Sequence, residues 1–257
     1  MALQHTAFDP QRKGFAFPNT FHLDEAERRY LGQDLTTYFL RRGALGPLGP
    51  LVVPRVVKLV RSRVERHLGS VYGLCGGMVF AALDFHYAGL GLPRGRHAHD
   101  QPAPGTPLRR FIWRRQLDTL LNDALRFVTW TALLTRVGQR CPFGGGPSRL
   151  LARSRKEWRR LTTALDAGQP APIGLVRDAR NVFENHQVLA VGYEQLDERH
   201  ATLFLYDPNC PGQEASIALE FGEHMLDGRE SCPAHAPPLR GFFCEAYTPV
   251  DPAEAML

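Results

Sequence analysis

The hydrophobic pattern of this chain changes period once, at Gly168-Gln169-Pro170. Before that point apolar residues recur mainly at helical spacing. After it they gather in short runs separated by turn residues. Val53, Val56, Val57, Val60 and Val64 follow i, i+3, i+4, i+7 and i+11, the stripe of an amphipathic helix with arginines opposite. A second helix is predicted from Leu23-Asp24, with Asp24, Glu25 and Glu27 in its first turn, as far as Arg42; Gly43 to Pro50 then breaks it. Further helices are expected over about 108–123, 124–137 and 148–167, the last carrying Trp158. Strands are expected at Pro172–Val176, His186–Tyr193, Thr202–Tyr206, Ile217–Phe221 and Gly241–Tyr247. Residues 1–23, where Phe15, Phe17 and Phe21 alternate around Pro18-Asn19, read as an extended arm or short strand packed on the rest. The fold class expected is α+β, with helices segregated from an antiparallel sheet. We expect one domain over 1–257, with a mainly helical part at 1–168 and a β part at 169–257.

Several function classes fall away on charge and composition. The formal net charge of +5 comes almost wholly from arginine, in pairs such as Arg28-Arg29, Arg41-Arg42 and Arg109-Arg110 scattered along helical segments. Scattered pairs are solvated helix faces rather than a nucleic-acid stripe. No apolar run approaches transmembrane length, so no membrane partner is expected. The N-terminal residues lack a basic region followed by an apolar one, and five cysteines without a C-x-x-C pair point to reduced thiols. Together these suggest a cytoplasmic protein. The Gly, Ala, Arg, Leu and Pro-heavy composition resembles that of a GC-rich bacterial genome.

One stretch carries chemistry. In Tyr72-Gly73-Leu74-Cys75-Gly76-Gly77-Met78-Val79-Phe80 a turn opens onto a cysteine, and an apolar run of helical length follows. A cysteine there meets free backbone N–H groups and the positive end of the helix dipole, which favour thiolate over thiol. Gly76 and Gly77 are poor helix residues whose missing side chains let another segment, or a substrate, come close to the sulfur. A thiolate nucleophile needs a base. His186 heads Asn185-His186-Gln187-Val188-Leu189-Ala190-Val191-Gly192-Tyr193, and Asp207 closes the next strand in Leu205-Tyr206-Asp207-Pro208-Asn209. Asn209 is the rival to Asp207 for orienting the imidazole.

A cysteine opening a helix, then histidine and aspartate on neighbouring strands, resembles the papain-like cysteine peptidase superfamily. The β half is most similar to the bacterial branch that includes the double-glycine leader peptidases. Ala164 to Val176, His186 to Tyr193 and Leu205 to Asn209 carry that similarity. The resemblance implies a papain-like fold, its cysteine helix packed on a C-terminal antiparallel sheet. It also implies a thiol hydrolase cleaving or transferring an acyl group at a peptide or amide bond through Cys75, His186 and Asp207. The family places a glutamine shortly before its cysteine to complete the oxyanion hole; here that position is Gly69. Cys75 N–H would supply one donor and Ser70 or His67 another, with Gly76 and Asn209 as secondary residues. Losing one such donor costs about a hundred- to a thousand-fold in rate. Two alternatives stay open, a binding or scaffolding module with a vestigial cysteine and a transglutaminase-like acyl transferase.

Other groups read as structural. His97-x-His99-Asp100 sits in the long loop at 89–107 without a clear fourth metal ligand, and Cys210, Cys232, His235 and Cys244 fit no common zinc spacing. Gly144-Gly145-Gly146-Pro147-Ser148, within the loop at 138–149, lacks the Gly-Lys-Ser/Thr of a phosphate loop. Trp113, Trp130 and Trp158 read as core anchors. The expected cofactor and metal complement is none, and the expected partner is a peptide or amide-containing substrate.

Overall fold

The structure, a computed structural model, describes residues 2–22, 25, 27, 37, 71–93, 100–135, 145–177, 184–232 and 236–256. Apart from Glu25, Glu27 and Thr37, the predicted helix from Leu23 to Arg42 and the whole Val53–Val64 stripe lie outside these residues. So do Ser70, His67, His97, His99, Cys141 and His235. In chain order the described elements are β1 (Ala2–His5), α1 (Pro10–Lys13), β2 (Phe21–His22), β3 (Val71–Tyr72), α2 (Cys75–Tyr87), α3 (Pro107–Leu134), α4 (Gly146–Asp166), β4 (Ala171–Arg177), β5 (His186–Gln195), β6 (His200–Tyr206), β7 (Ala215–Phe221), β8 (Leu226–Glu230) and β9 (Leu239–Cys244), with a 3-10 turn at Pro252–Ala255.

The strands do not form the expected open sheet. They run β5-β4-β9-β8-β7-β6, and β6 pairs back onto β5, so six antiparallel strands close into a barrel. This overturns the papain-like arrangement of a helical part packed on an open sheet. Closure has a local cause. β5 is ten residues long, and its register with β6 shifts between Ala190 and Gly192. Such an irregularity bends a strand and lets its two halves serve different neighbours. His186–Ala190 pairs with β4, whereas Gly192–Gln195 pairs with β1 from the N-terminus. A second shift at Val176/Arg177 bends β4 where it meets β9.

The barrel interior is apolar. Ile173, Leu175, Val188, Leu203, Leu205, Ile217, Leu219, Leu226, Leu239 and Phe242 pack together with Leu161 and Leu165 of α4. β4 is buried along its whole length because its other side is also covered: Val176 and Phe243 pack with Phe127 and Trp130 of α3 and Leu150 of α4. A strand covered on both faces reads as a continuous apolar run. That is what Ile173-Gly174-Leu175-Val176 is.

α2 is buried from Gly76 to Phe85 and packs with Leu189, Val191 and Tyr206 of the barrel wall. A helix apolar all round belongs in a core. It stops at Gly89, whose φ of +68° is the left-handed conformation glycine adopts at helix ends. α3 crosses α2 so closely that a Cβ on Gly77 would stand 2.2 Å from the Ile112 carbonyl oxygen. Where two helices were predicted over 108–137, α3 is one helix of 28 residues. Its polar residues Asn122 and Asp123 do not break it, because they bond the backbone carbonyl and N–H of Ala246. The N-terminal arm packs as the alternation of its phenylalanines suggested: Phe15, Phe17 and Phe21 are buried with Tyr72, Leu74 and Met78 beside the start of α2.

Candidate active site

The chain reverses at Gly73-Leu74 and enters α2 at Cys75, with no side chain capping the helix. The first-turn N–H groups find other partners. Gly77 N–H donates to Gln116 Oε1 of α3 at 3.0 Å, and the Gly76 N–H dipole helps hold the Cys75 thiol low. The N–H of Cys75 itself, first in the helix, has no acceptor within it. Cys75 as a residue is only partly buried.

His186 begins β5, and Asp207 follows β6. The hairpin register Leu189↔Tyr206 puts both at the same end of the barrel, beside the start of α2. His186 Nε2 lies 2.7 Å from Asp207 Oδ1, both residues almost wholly buried. With Nε2 committed, Nδ1 is the imidazole nitrogen available to interact with Cys75. Asp207 Oδ1 also accepts from Asn209 N–H at 2.8 Å, which fixes the corner. Asn209 Nδ2 lies 3.2 Å from His186 Nε2 and Asn209 itself is exposed. Cys75, His186, Asp207 and Asn209, four residues singled out from sequence, therefore meet at one place.

Their charges are coupled. Burial pushes the Cys75 thiol up, but the hydrogen bond and charge of His186, with backbone N–H groups of Gln187 and Gly76, bring it below its ordinary value. Burial likewise pushes His186 down; the charge and hydrogen bond of Asp207 and the sulfur outweigh it and raise the imidazole to about 10. A thiol held low beside an imidazole held high favours the thiolate–imidazolium form, the reactive form of a cysteine nucleophile.

Three site residues escaped the sequence reading. Gln187 is buried beside Cys75, where its Oε1 lies 3.8 Å from the Cys75 sulfur and accepts from Gln116 Nε2 at 3.2 Å. Glu245, just past β9, accepts from Gln187 Nε2 at 2.6 Å. Burial pushes the Glu245 carboxyl well above its ordinary value, and the Gln187 donor offsets only part of this. Asn19, from the N-terminal arm, accepts the Leu74 N–H. Gln187 had a signal, being the one polar side chain after His186 in a run otherwise apolar to Val191. Asn19 and Glu245 had none, since amides and acids are ordinary in turns and beyond strand ends.

The remaining candidates do not join the site. Cys210 and Cys232 form a disulfide with Cα atoms 6.3 Å apart, which corrects the expectation of reduced thiols throughout and removes both from any zinc set. The β7–β8 hairpin, with Ile217 opposite Glu230, is what returns residue 232 beside residue 210. Cys244 is a free, buried thiol pushed up to about 12, chiefly by burial. Among the described residues no cluster of His, Cys, Asp and Glu could hold a metal ion, and no helix is long and apolar enough to cross a membrane. No protein-family model, curated protein or solved structure matches the chain.

Proposed function

We propose that this chain is a cysteine hydrolase or acyl transferase acting at a peptide or amide bond. The observation that carries the reading is the buried His186–Asp207 hydrogen bond set beside Cys75, whose thiol the imidazole holds low, assembled from α2, β5 and the corner after β6. In the first step the Cys75 thiolate attacks the acyl carbon; an S–C bond forms and the carbonyl π pair moves to oxygen. Collapse breaks the C–N bond, His186 gives its Nδ1 proton to the departing amine, and a thioester remains. Water, or an amine in the transferase case, then attacks that thioester while His186 takes its proton, restoring the thiolate and releasing the acid or new amide. Asp207 keeps Nε2–H in place and stabilises the imidazolium, without itself taking the proton. Cys75 N–H, at the positive end of α2, is a donor for the developing oxyanion.

A second reading rests on Gln187. Its carbonyl oxygen faces the sulfur and favours the thiol over the thiolate, as expected if the fold is a binding module with an idle cysteine. One experiment separates the two. Iodoacetamide labelling of Cys75, followed by peptide mass spectrometry across pH 5 to 10, reports the thiolate directly. The enzyme reading expects fast labelling near pH 6 that collapses in His186→Ala; labelling at the rate of an ordinary thiol in both proteins would overturn it. A cytoplasmic setting, where Cys75 stays reduced, is part of the proposal. The Cys210–Cys232 disulfide argues for an oxidising compartment instead, and thiol trapping in intact cells decides between them.

A further inference from the structure

We propose that Asn19 is a positioning residue of this site, joining the turn that carries Cys75 to the amide lying against His186; the proposal rests on the thiol-enzyme reading above. Three contacts place it. Asn19 Oδ1 accepts from the N–H of Leu74, the residue before the nucleophile. A carboxamide held by its oxygen has its two donors fixed in direction, and one of them, on Nδ2, reaches Asn209 Oδ1 at 3.1 Å. Asn209 thereby lies with its Nδ2 3.2 Å from His186 Nε2, packed against the imidazole edge rather than hydrogen-bonded to it, because Nε2–H already donates to Asp207. The Asn19 backbone N–H donates to Pro208 O at 3.1 Å, tying the arm to the corner that bears Asp207. One residue of the N-terminal arm thus touches both sides of the site, although 55 residues separate it from Leu74 and 190 from Asn209.

The turn itself is shaped around this amide. A Cβ on Gly73 would stand 2.8 Å from Asn19 Nδ2 and 3.2 Å from Oδ1. Real side chains essentially never make the first contact and only rarely the second, so a residue larger than glycine at 73 would displace the Asn19 amide. The arm is anchored elsewhere by buried Phe15, Phe17 and Phe21, so it does not depend on Asn19 to stay in place.

The test is the pH profile of Cys75 alkylation in the full chain, for wild type, Asn19→Ala, Gly73→Ala, the double variant and His186→Ala, with thermal unfolding of each followed by circular dichroism. Positioning by Asn19 expects its loss to move the alkylation midpoint up by about one pH unit, a roughly tenfold slower reaction at pH 6, with the folded signal kept. Gly73→Ala, which leaves Asn19 intact but crowds it, should reproduce that shift, and the double variant should be no worse than either single one. A fall in melting temperature with an unmoved midpoint in both single variants would overturn the proposal. If His186→Ala shifts the midpoint and Asn19→Ala does not, only the role of Asn19 fails. If neither shifts it, the thiol–imidazole pair on which that role rests fails with it.

Discussion

A Cβ built on Gly76 would stand 2.2 Å from Oε1 of Gln187. The residue after Cys75 is therefore glycine because a buried amide fills the place of its side chain. Each glycine around Cys75 has a separate partner: Gly73 admits Asn19, Gly76 admits Gln187, and Gly77 admits the α3 backbone at Ile112. The Gly-Leu-Cys-Gly-Gly run records three close approaches.

Gly76→Ala should accordingly destabilise the fold despite removing a poor helix former. The helix-propensity gain is about 1 kcal/mol at most, whereas forcing a methyl into a filled core costs about 1–3 kcal/mol. Gln187 would also lose bonds to Gln116 and Glu245 worth about 0.5–1.5 kcal/mol each. Crowding should win, giving a net loss of about 1–5 kcal/mol in urea unfolding, with slower alkylation of Cys75. Unchanged or increased stability would mean that Gln187 leaves its site at no cost.

The carboxyl of Glu245 makes a prediction about pH. It is buried, its Oε2 has no partner among the described residues, and Asp123 and the Cys75 sulfur add negative charge that Arg126 only partly offsets. Burial holds its folded pKa well above the ordinary value of 4.5. Below 4.5 both folded and unfolded forms are protonated, and folding has no penalty. As pH rises past 4.5 the unfolded chain releases this proton while the folded chain keeps it, so stability falls toward the raised folded pKa, by at most about 1.4 kcal/mol per unit. Glu245→Gln does not titrate and keeps an acceptor for Gln187. Its stability advantage over wild type should therefore grow from pH 5 to pH 8 in parallel urea titrations; a constant difference would place the Glu245 proton elsewhere.

What the sequence disclosed follows from the range of the interactions concerned. Cys75 at a helix start and His186 at a strand start are local facts, set by periodicity and turn residues, and they were legible. So were β4, β5, β6, β7 and β9, whose apolar residues repeat within a few positions. β8 was not: Leu226-Asp227-Gly228-Arg229-Glu230 turns only Leu226 and Gly228 inward, and its charged residues resemble a loop. Barrel closure was not either, because an open and a closed sheet demand the same alternation along each strand. The deciding feature is one extra residue at Val191, before Gly192. Gln187, Asn19 and Glu245 meet their partners across 112, 55 and 58 residues, distances over which the sequence has no periodic signal.

The Cys210–Cys232 disulfide should contribute to stability without tuning the site. It joins residues 22 apart, and closing a loop of that size in the unfolded chain is worth about 3 kcal/mol. Cys210 lies only three residues past Asp207, so the bond looks placed to hold the acid. The corner is fixed without it, however. Asn209 N–H donates to Asp207 Oδ1 at 2.8 Å, Cys210 N–H to Asp207 O at 2.9 Å, and Asn19 N–H to Pro208 O at 3.1 Å. None of these requires the sulfur bridge. The double variant Cys210→Ser, Cys232→Ser should therefore unfold about 3 kcal/mol more easily, while Cys75 keeps its wild-type alkylation midpoint. A midpoint that rises together with the lost stability would show that the disulfide, rather than the turn's own hydrogen bonds, sets where Asp207 meets His186.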